Sequence, residues 1–469
     1  MFESARKILD NKSGNSNLLE GKKQLENTAE KDTILNEKNI LHEGDIKIEA
    51  DDANRPMCLG DAHPLKAILK NKVMSSRKMI EPLDIKNNGT VSDFIDNVYG
   101  GSGYNARRLT EACKTFERMI TRGATNCLTV AGAMTPIGMA GPIITMIENG
   151  FIDVIISTGA NLYHDLHRAY NCPVVQGDVN TDDGKLNKLG IARIYDVFIE
   201  DDDTMFATDG IITRAGLSKK LTAGPISTAD LHYIIGLHVL RDAPHPEKSL
   251  LAMAAKYKVP VYCSSPADSA IGMNLMIPNF YNKRIKLDVF RDIVETSAIV
   301  HGSDENGIVI MGGGSPKNFF LQTQPVLWEM LDINKGGHDY FVQLTTDSPQ
   351  WGGLSGATPQ EAKSWGKVKD PEKNNVVVYS CCSLTFPLLA KYVLDKCEPR
   401  ERKDLMFKKN KLAIELLDKA RKREKLLRDY GKDIDLKQPK ENLYPDNGVL
   451  DGLDGPVKNL VADKNVKVE

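Results

Sequence analysis

Residues Gly307–Asn318 read GIVIMGGGSPKN, an apolar β-rich run that ends in three consecutive glycines. A short continuous apolar run bounded by glycine predicts a strand buried on both faces, as in the interior of a parallel sheet. Gly312, Gly313 and Gly314 then lie at the carboxyl edge of that sheet. Missing side chains there let backbone approach a ligand closely, as a dinucleotide pocket requires, and a side chain at Gly313 should obstruct that approach. A plain tight turn uses the same residues, so the triplet alone leaves both readings open.

Working outward, six further β-rich runs flank this one: Cys127–Val130, Ile152–Ser157, Arg193–Ile199, Val259–Cys263, Tyr340–Thr345 and Val376–Tyr379. Helical stretches separate them. The segment Tyr104–Thr121 places Leu109, Ala112, Cys113, Phe116, Met119 and Ile120 on one helical face and stops at Gly123. Such alternation predicts an α/β fold, with a doubly wound, mostly parallel, Rossmann-like sheet and helices on both faces. The uncharged stretch Gly123–Ile147 is long enough for a membrane span, but Gly132, Pro136, Gly138, Gly141 and Pro142 break it. It reads as a buried strand, a turn and a buried helix ending at Gly150.

The ends differ from the middle. Residues 1–56 are rich in Asn, Lys, Glu and Asp, with Phe2 as the only aromatic, and predict a loosely ordered arm that folding does not need. Residues 57–396 form the expected catalytic domain, and 397–469 a charged extension. Within that extension a helix is expected from about Arg400 to Tyr430, lying on the core by a thin stripe of Ile414, Leu417, Leu426 and Leu427. Phe407 and Tyr430 are its only aromatics, too few among its basic residues to suit a nucleic-acid contact, which favours a solvated helix. Residues beyond Lys432 read as loosely ordered.

Composition narrows the class. The 469 residues carry 61 Lys and Arg against 63 Asp and Glu, a net charge of -2 that gives no overall field for capturing nucleic acid or an anionic membrane. Eight cysteines run from Cys58 to Cys397 without a C-x-x-C pair, so neither a zinc ribbon nor a disulfide framework is written here. Reduced thiols, and an amino terminus charged throughout Met1–Lys12, point to the cytosol.

Several further motifs could carry chemistry. Gly101, Gly103 and Ala106 match G-x-G-x-x-A, but no strand precedes them and they read as a turn. His164 and His167 share a helical face without a third ligand nearby, and read as a pocket-edge or surface pair with no metal. Cys381 and Cys382 read as small packing residues at the sheet edge. The most informative run is Gly352–Val368, GGLSGATPQEAKSWGKV, where Pro359 starts a helix, Glu361 sits in its first turn, and Lys367 follows Trp365 and Gly366. An indole beside an amine desolvates it, and a desolvated lysine is a candidate Schiff-base nucleophile; a surface lysine is the plainer alternative.

EAKSWGKV resembles the active-site lysine motif of the deoxyhypusine synthase family. The resemblance extends from about Pro82 to Lys396 and includes IDVIISTGAN (Ile152–Asn161), SPADSAIGM (Ser265–Met273), GIVIMGGGSPKN and SLTFPLL (Ser383–Leu389). It implies NAD as cofactor and an aminobutyl transfer from spermidine through an imine on Lys367. Glu361 and Trp365 would bind the amine, with His164 and Asn318 at further substrate positions. Gly312, Gly313, Gly314, Asp268, Thr158 and Gly159 would lie at the cofactor. It also implies a homotetramer, with a polyamine and the hypusine-bearing translation factor as partners. The chain departs from the family pattern: His164, Met273 and Leu354 stand where acidic residues are expected, Asn318 where a histidine is, Cys381 for an aspartate and Ala133 for an asparagine. Asp347–Thr358, DSPQWGGLSGAT, is similar to the prokaryotic deoxyhypusine-synthase-like branch. Homospermidine-type transfer to a free amine such as putrescine, and a catalytically weak paralogue regulating an active partner, therefore stand as alternatives.

Overall fold

The computed structural model describes residues 74–86, 88–281, 285–370 and 374–422. The expected arm over 1–56 and the segment beyond Lys432 lie outside the described residues. In chain order the strands are β1 (Thr125–Val130), β2 (Val154–Ser157), β3 (Val174–Gln176), β4 (Ile191–Ile194), β5 (Val197–Glu200) and β6 (Pro225–Ile226), followed by β7 (Val261–Cys263), β8 (Lys286–Leu287), β9 (Asn306–Met311), β10 (Tyr340–Thr345) and β11 (Asn375–Tyr379).

Six of them form one parallel sheet in the order β11-β10-β9-β1-β2-β7. Every residue of β1, β2, β9 and β10 is buried, which is why these strands read as unbroken apolar runs instead of alternating ones. The chain winds outward from β1 through β2 to β7, and from β9 through β10 to β11. Between β1 and β9 the winding reverses, so their carboxyl ends border the crevice where open α/β sheets bind ligands. The Tyr104–Thr121 helix buries all six residues assigned to its apolar face.

The run Arg193–Ile199 departs from expectation. It is a hairpin in which Ile194 pairs with Val197, leaving Tyr195 and Asp196 as the turn with φ of 54° at Tyr195. With β3 it makes a separate antiparallel sheet in the order β3-β5-β4. A two-residue reversal cannot continue a parallel sheet, and a polar turn inside an otherwise β-rich run was the missed signal. Among the described residues, no helix is long and apolar enough to cross a membrane.

The extension is bound into the core by charge as much as by apolar surface. Its helix spans Leu405–Arg421 and buries Leu405, Met406, Lys409, Ala413, Leu416 and Ala420, whereas Ile414 is exposed and Leu417 only packs at the margin. The expected stripe is corrected at Ile414 because Lys409 turns inward, and Leu426 and Leu427 lie outside the described residues. Its Nζ lies 2.8 Å from both Asp230 Oδ1 and Glu295 Oε1, all three residues being buried. Burial alone would lower the Lys409 amine, but Glu295 and Asp230 hold it above its ordinary value. Further along the sheet's amino end, Arg400 Nη2 reaches Asp153 Oδ2 at 2.5 Å and its Nη1 donates to the Ala124 carbonyl at 2.8 Å. Lys403 Nζ donates to the Gly123 carbonyl. Removing one member of a buried ion pair strands the other, typically at about 3–5 kcal/mol. Lys409→Ala should lower unfolding stability by that order in urea titration, and an unchanged midpoint would refute the structural role given to the pair.

Candidate active site

The triplet after β9 bends the chain into the Gly314–Leu321 helix, with φ of 78° at Gly312 and 58° at Gly314. Those two positions need glycine. Gly313 has a different reason: its φ is an extended 170°, but a Cβ there would lie 2.5 Å from Ser355 Cα. A side chain at Gly313 would therefore collide with the chain's own Ser355 loop. That loop is latched by the Gly314 amide, which donates to Ser355 Oγ at 2.9 Å.

Small residues continue along the sheet edge. A Cβ on Gly312 would touch Ala131 Cβ at 3.4 Å, so the loops after β9 and β1 meet at the reversal point. Asn161 organises the β1 loop: its Oδ1 accepts from the Met134 and Thr135 amides at 2.6 and 3.2 Å, and its Nδ2 donates to the Gly132 carbonyl and Thr158 Oγ1. Thr158 Oγ1 in turn donates to Gly132 at 2.7 Å. Gly159 abuts Ser269, whose Cβ would stand 2.0 Å from an added Cβ, and the exposed Asp268 precedes it. Gly132, with φ of 66°, and Gly138 are exposed, and added Cβ atoms there would meet no atom closer than 3.8 Å. This backbone is open to a ligand. Thr158, Gly159, Asp268 and the triplet thus share one rim.

Lys367 is positioned by local rules. Thr358 caps the Pro359–Ser364 helix by accepting from the Glu361 amide, and proline occupies its first turn. Gly366, with φ of 65°, closes the helix. Its amide donates to Lys363 and that of Lys367 to Ala362, the paired bonds of a left-handed glycine cap. A Cβ on Gly366 would lie 3.1 Å from Trp328 Nε1, so the turn is seated against a second indole. The Lys367 side chain crosses the Trp365 ring, Nζ to centroid 5.6 Å, and donates to Asn318 Oδ1 at 3.3 Å. Burial lowers its pKa from the ordinary lysine value, and the Glu361 carboxylate partly opposes that. Lys367, Trp365, Glu361 and Asn318 are therefore brought together.

Sequence reasoning missed Lys317. It is 2% exposed, and its Nζ donates to the Ala357 carbonyl at 2.7 Å, Gln343 Oε1 at 3.0 Å and the Ser355 carbonyl at 3.4 Å. Burial brings its pKa down to about 8, Glu361 opposes and the Lys367 charge adds to the fall. A lysine three and four residues before the buried Phe320 and Leu321 was the available signal.

His164 belongs to another cluster. Its Nδ1 meets His167 Nε2 at 2.8 Å, and His167 Nδ1 meets Thr208 Oγ1 at 2.7 Å. Burial, reinforced for His164 by the Arg168 charge, pushes the two rings down to about 4 and about 3, so both are neutral at physiological pH. Among the described residues no group of three or more His, Cys, Asp or Glu could hold a metal. Met273 and Leu354 are exposed. Cys382 is buried while Cys381 is exposed, with Sγ 3.0 Å from Ser383 Oγ, so only Cys382 packs as expected.

Residues 94–393 match the family model described as deoxyhypusine synthase. A deoxyhypusine synthase-like protein of Nostoc punctiforme is 43% identical over 73% of this chain and 88% of its own length. One of Thermosynechococcus vestitus is 39% identical over 72% of this chain and 86% of its own. An Archaeoglobus fulgidus protein named probable deoxyhypusine synthase 1 is 37% identical over 66% of this chain and 95% of its own.

The electrostatics at Lys367 can be tested directly. A nearby carboxylate favours the ammonium form, so removing it makes the neutral amine available at lower pH. Reductive methylation of Lys367, followed by peptide mass spectrometry across pH, should show its midpoint displaced downward in Glu361→Gln; coincident curves would remove Glu361 from the amine's environment.

Proposed function

Because the chain belongs to the deoxyhypusine synthase family, we propose that it transfers an aminobutyl group from spermidine or a related amine to a second amine, with NAD as cofactor and an imine on Lys367 as carrier. The observation that carries this reading is the Lys367 amine, lowered by burial, lying over Trp365 and, among the described residues, bonded only to a neutral amide oxygen 3.3 Å away. An amine so placed loses its proton more readily than an exposed one and needs no ion pair to break before it attacks.

The residues that would hold NAD are the exposed backbone of Gly132 and Gly138, the Gly312–Gly314 triplet, Thr158, Gly159 and Asp268. When bound, it supplies the oxidising equivalent that turns the donor's carbon–nitrogen bond into an imine, and returns that hydride at the end. Lys367 Nζ attacks the imine carbon and forms a new carbon–nitrogen bond, while the original amine takes up a proton and leaves. The acceptor amine then displaces Lys367 in the same way, freeing the lysine. Glu361 draws the ammonium ends of donor and acceptor, Asn318 orients the Lys367 amine, and Trp365 shields the imine from water.

The acceptor is proposed as a lysine of the hypusine-bearing translation factor, with a free amine such as putrescine as the rival. The proposed setting is the cytosol. Assembly is proposed to be a homotetramer, supported by an unpartnered apolar face on the Ala270–Phe280 helix, where Met273, Met276 and Phe280 are 62%, 54% and 72% exposed and Tyr281 follows.

Borohydride added with NAD and spermidine should fix an aminobutyl adduct on Lys367, located by peptide mass spectrometry. Lys367→Ala should lose roughly 10³-fold or more in turnover. An adduct confined to another lysine, or a fully active Lys367→Ala, would reject the assignment, and product analysis with each acceptor separates the two transfers. For the assembly, Phe280→Asp should shift light-scattering mass from a tetramer to smaller species; an unaltered mass would place the subunit contact elsewhere.

A further inference from the structure

The second halves of two helices, Tyr104–Thr121 and Cys382–Lys396, bound a groove of about 340 Å³ that Asp96 also lines. Lys114, Glu117 and Arg118 enter it from the first helix, at the three- and four-residue spacing that shares one face, and Tyr392 and Lys396 from the second. The first helix begins beside Tyr379 at the carboxyl end of β11, where Asn105 Nδ2 donates to the Tyr379 carbonyl at 2.6 Å. Its second half is therefore clear of the Gly312–Gly314 rim. None of the residues assigned to the transfer lines the groove.

Charges in the groove are unevenly served. Asp96 is fully engaged: Lys114 Nζ and Lys396 Nζ lie 3.3 and 3.2 Å from its oxygens, and Tyr392 Oη lies 3.1 Å from Oδ1. The same phenol stands 3.3 Å from Glu117 Oε2. Tyr392 is 1% exposed, and burial together with the Glu117 and Asp96 charges pushes its pKa up, so it keeps its proton. One hydroxyl proton cannot serve two carboxylates. Among the described residues nothing else donates to Glu117, and Lys396 acts on it only from beyond ion-pair distance. Arg118 has the opposite lack: its Nη2 donates to Thr115 Oγ1 at 2.9 Å, and among the described residues no carboxylate pairs with it.

An exposed arginine without a carboxylate is ordinary by itself, and so is a solvated seam of ion pairs between two helices. This groove instead joins three unmet groups. Glu117 and Tyr392 suit an ammonium donor, Arg118 a carboxylate, and Lys114 and Lys396, two ammonium groups on one carboxylate, a second acidic group. Three cations against two carboxylates leave one positive charge, which a ligand with one ammonium and two carboxylates cancels. The volume stands at the low end of small-ligand sites. We propose that this groove binds a free acidic amino acid, its ammonium on Glu117 and its carboxylates on Arg118 and the Lys114–Lys396 pair. The site is independent of the transferase reading.

Calorimetric titration of the full chain tests the site, with L-glutamate, L-glutamine and glutarate as probes. L-Glutamate should bind wild type saturably, whereas glutamine, lacking the second carboxylate, and glutarate, lacking the ammonium, should bind at least about 10-fold more weakly. Glu117→Gln and Arg118→Gln should each weaken L-glutamate binding by about 10- to 100-fold with melting midpoints kept, since neither side chain is buried. Lys367→Ala should bind L-glutamate as wild type does. Absence of saturable L-glutamate binding, equal affinity for the three probes, or full affinity in either folded groove variant would overturn the site. Loss of binding in Lys367→Ala would move the ligand to the candidate active site and overturn it as well.

Discussion

The buried ammonium of Lys317 is the contact on which the candidate site depends. It ties together three pieces of chain that no regular hydrogen-bond ladder joins: the helix after the glycine triplet, strand β10 through Gln343, and the Ser355–Ala357 segment. Gln343 closes the arrangement, with Nε2 donating to the Gly312 carbonyl at 2.8 Å and the Ser355 carbonyl at 2.7 Å. Because Ala357 directly precedes the Thr358 cap, the orientation of the helix leading to Lys367 follows from where this loop is seated. The glycine at 313 serves the same end, letting Ser355 lie against the sheet edge at a distance no side chain would allow.

Charge inside the molecule is handled in two ways. Lys409 and Arg400 meet carboxylates that are themselves buried, so each ion is matched and the extension becomes part of the core. At the candidate site the matching stops: among the described residues Lys317 is held by carbonyl and amide oxygens and Lys367 by one amide oxygen. Groups held by neutral dipoles keep their charge open to a newcomer. That contrast separates the ions that fasten the extension from the lysines of the candidate site.

How much of this was legible follows from the range of the interactions involved. The parallel strands could be read because burial on both faces leaves an unbroken apolar run, and the Lys367 turn because proline, threonine and glycine act on their immediate neighbours. The Tyr195–Asp196 reversal was hidden inside a run that looked like one strand. Asn161 was present in a quoted motif, yet its role joins loops some thirty residues apart. Lys409 reaches partners 179 and 114 residues away, and nothing in the local pattern of a basic helix marks which lysine turns inward.

The two lysines at the site show why perturbation alone does not select a nucleophile. Burial lowers both, and it brings Lys317 down to about 8 whereas Lys367 carries only a lesser shift. Ranked by ease of deprotonation, Lys317 would lead. Its geometry argues the reverse, for at 2% exposure its three acceptors consume the donors an ammonium offers, and a neutral amine there would leave one of those oxygens without a proton. Attack would also require the side chain to abandon the loop that orients Glu361. Lys367 has a single 3.3 Å contact, an aromatic face to slide along and access to the rim, so it can lose a proton and form a bond without dismantling its support. Division of labour between one lysine that must stay charged and one that must not is what the unequal hydrogen bonding of the pair provides.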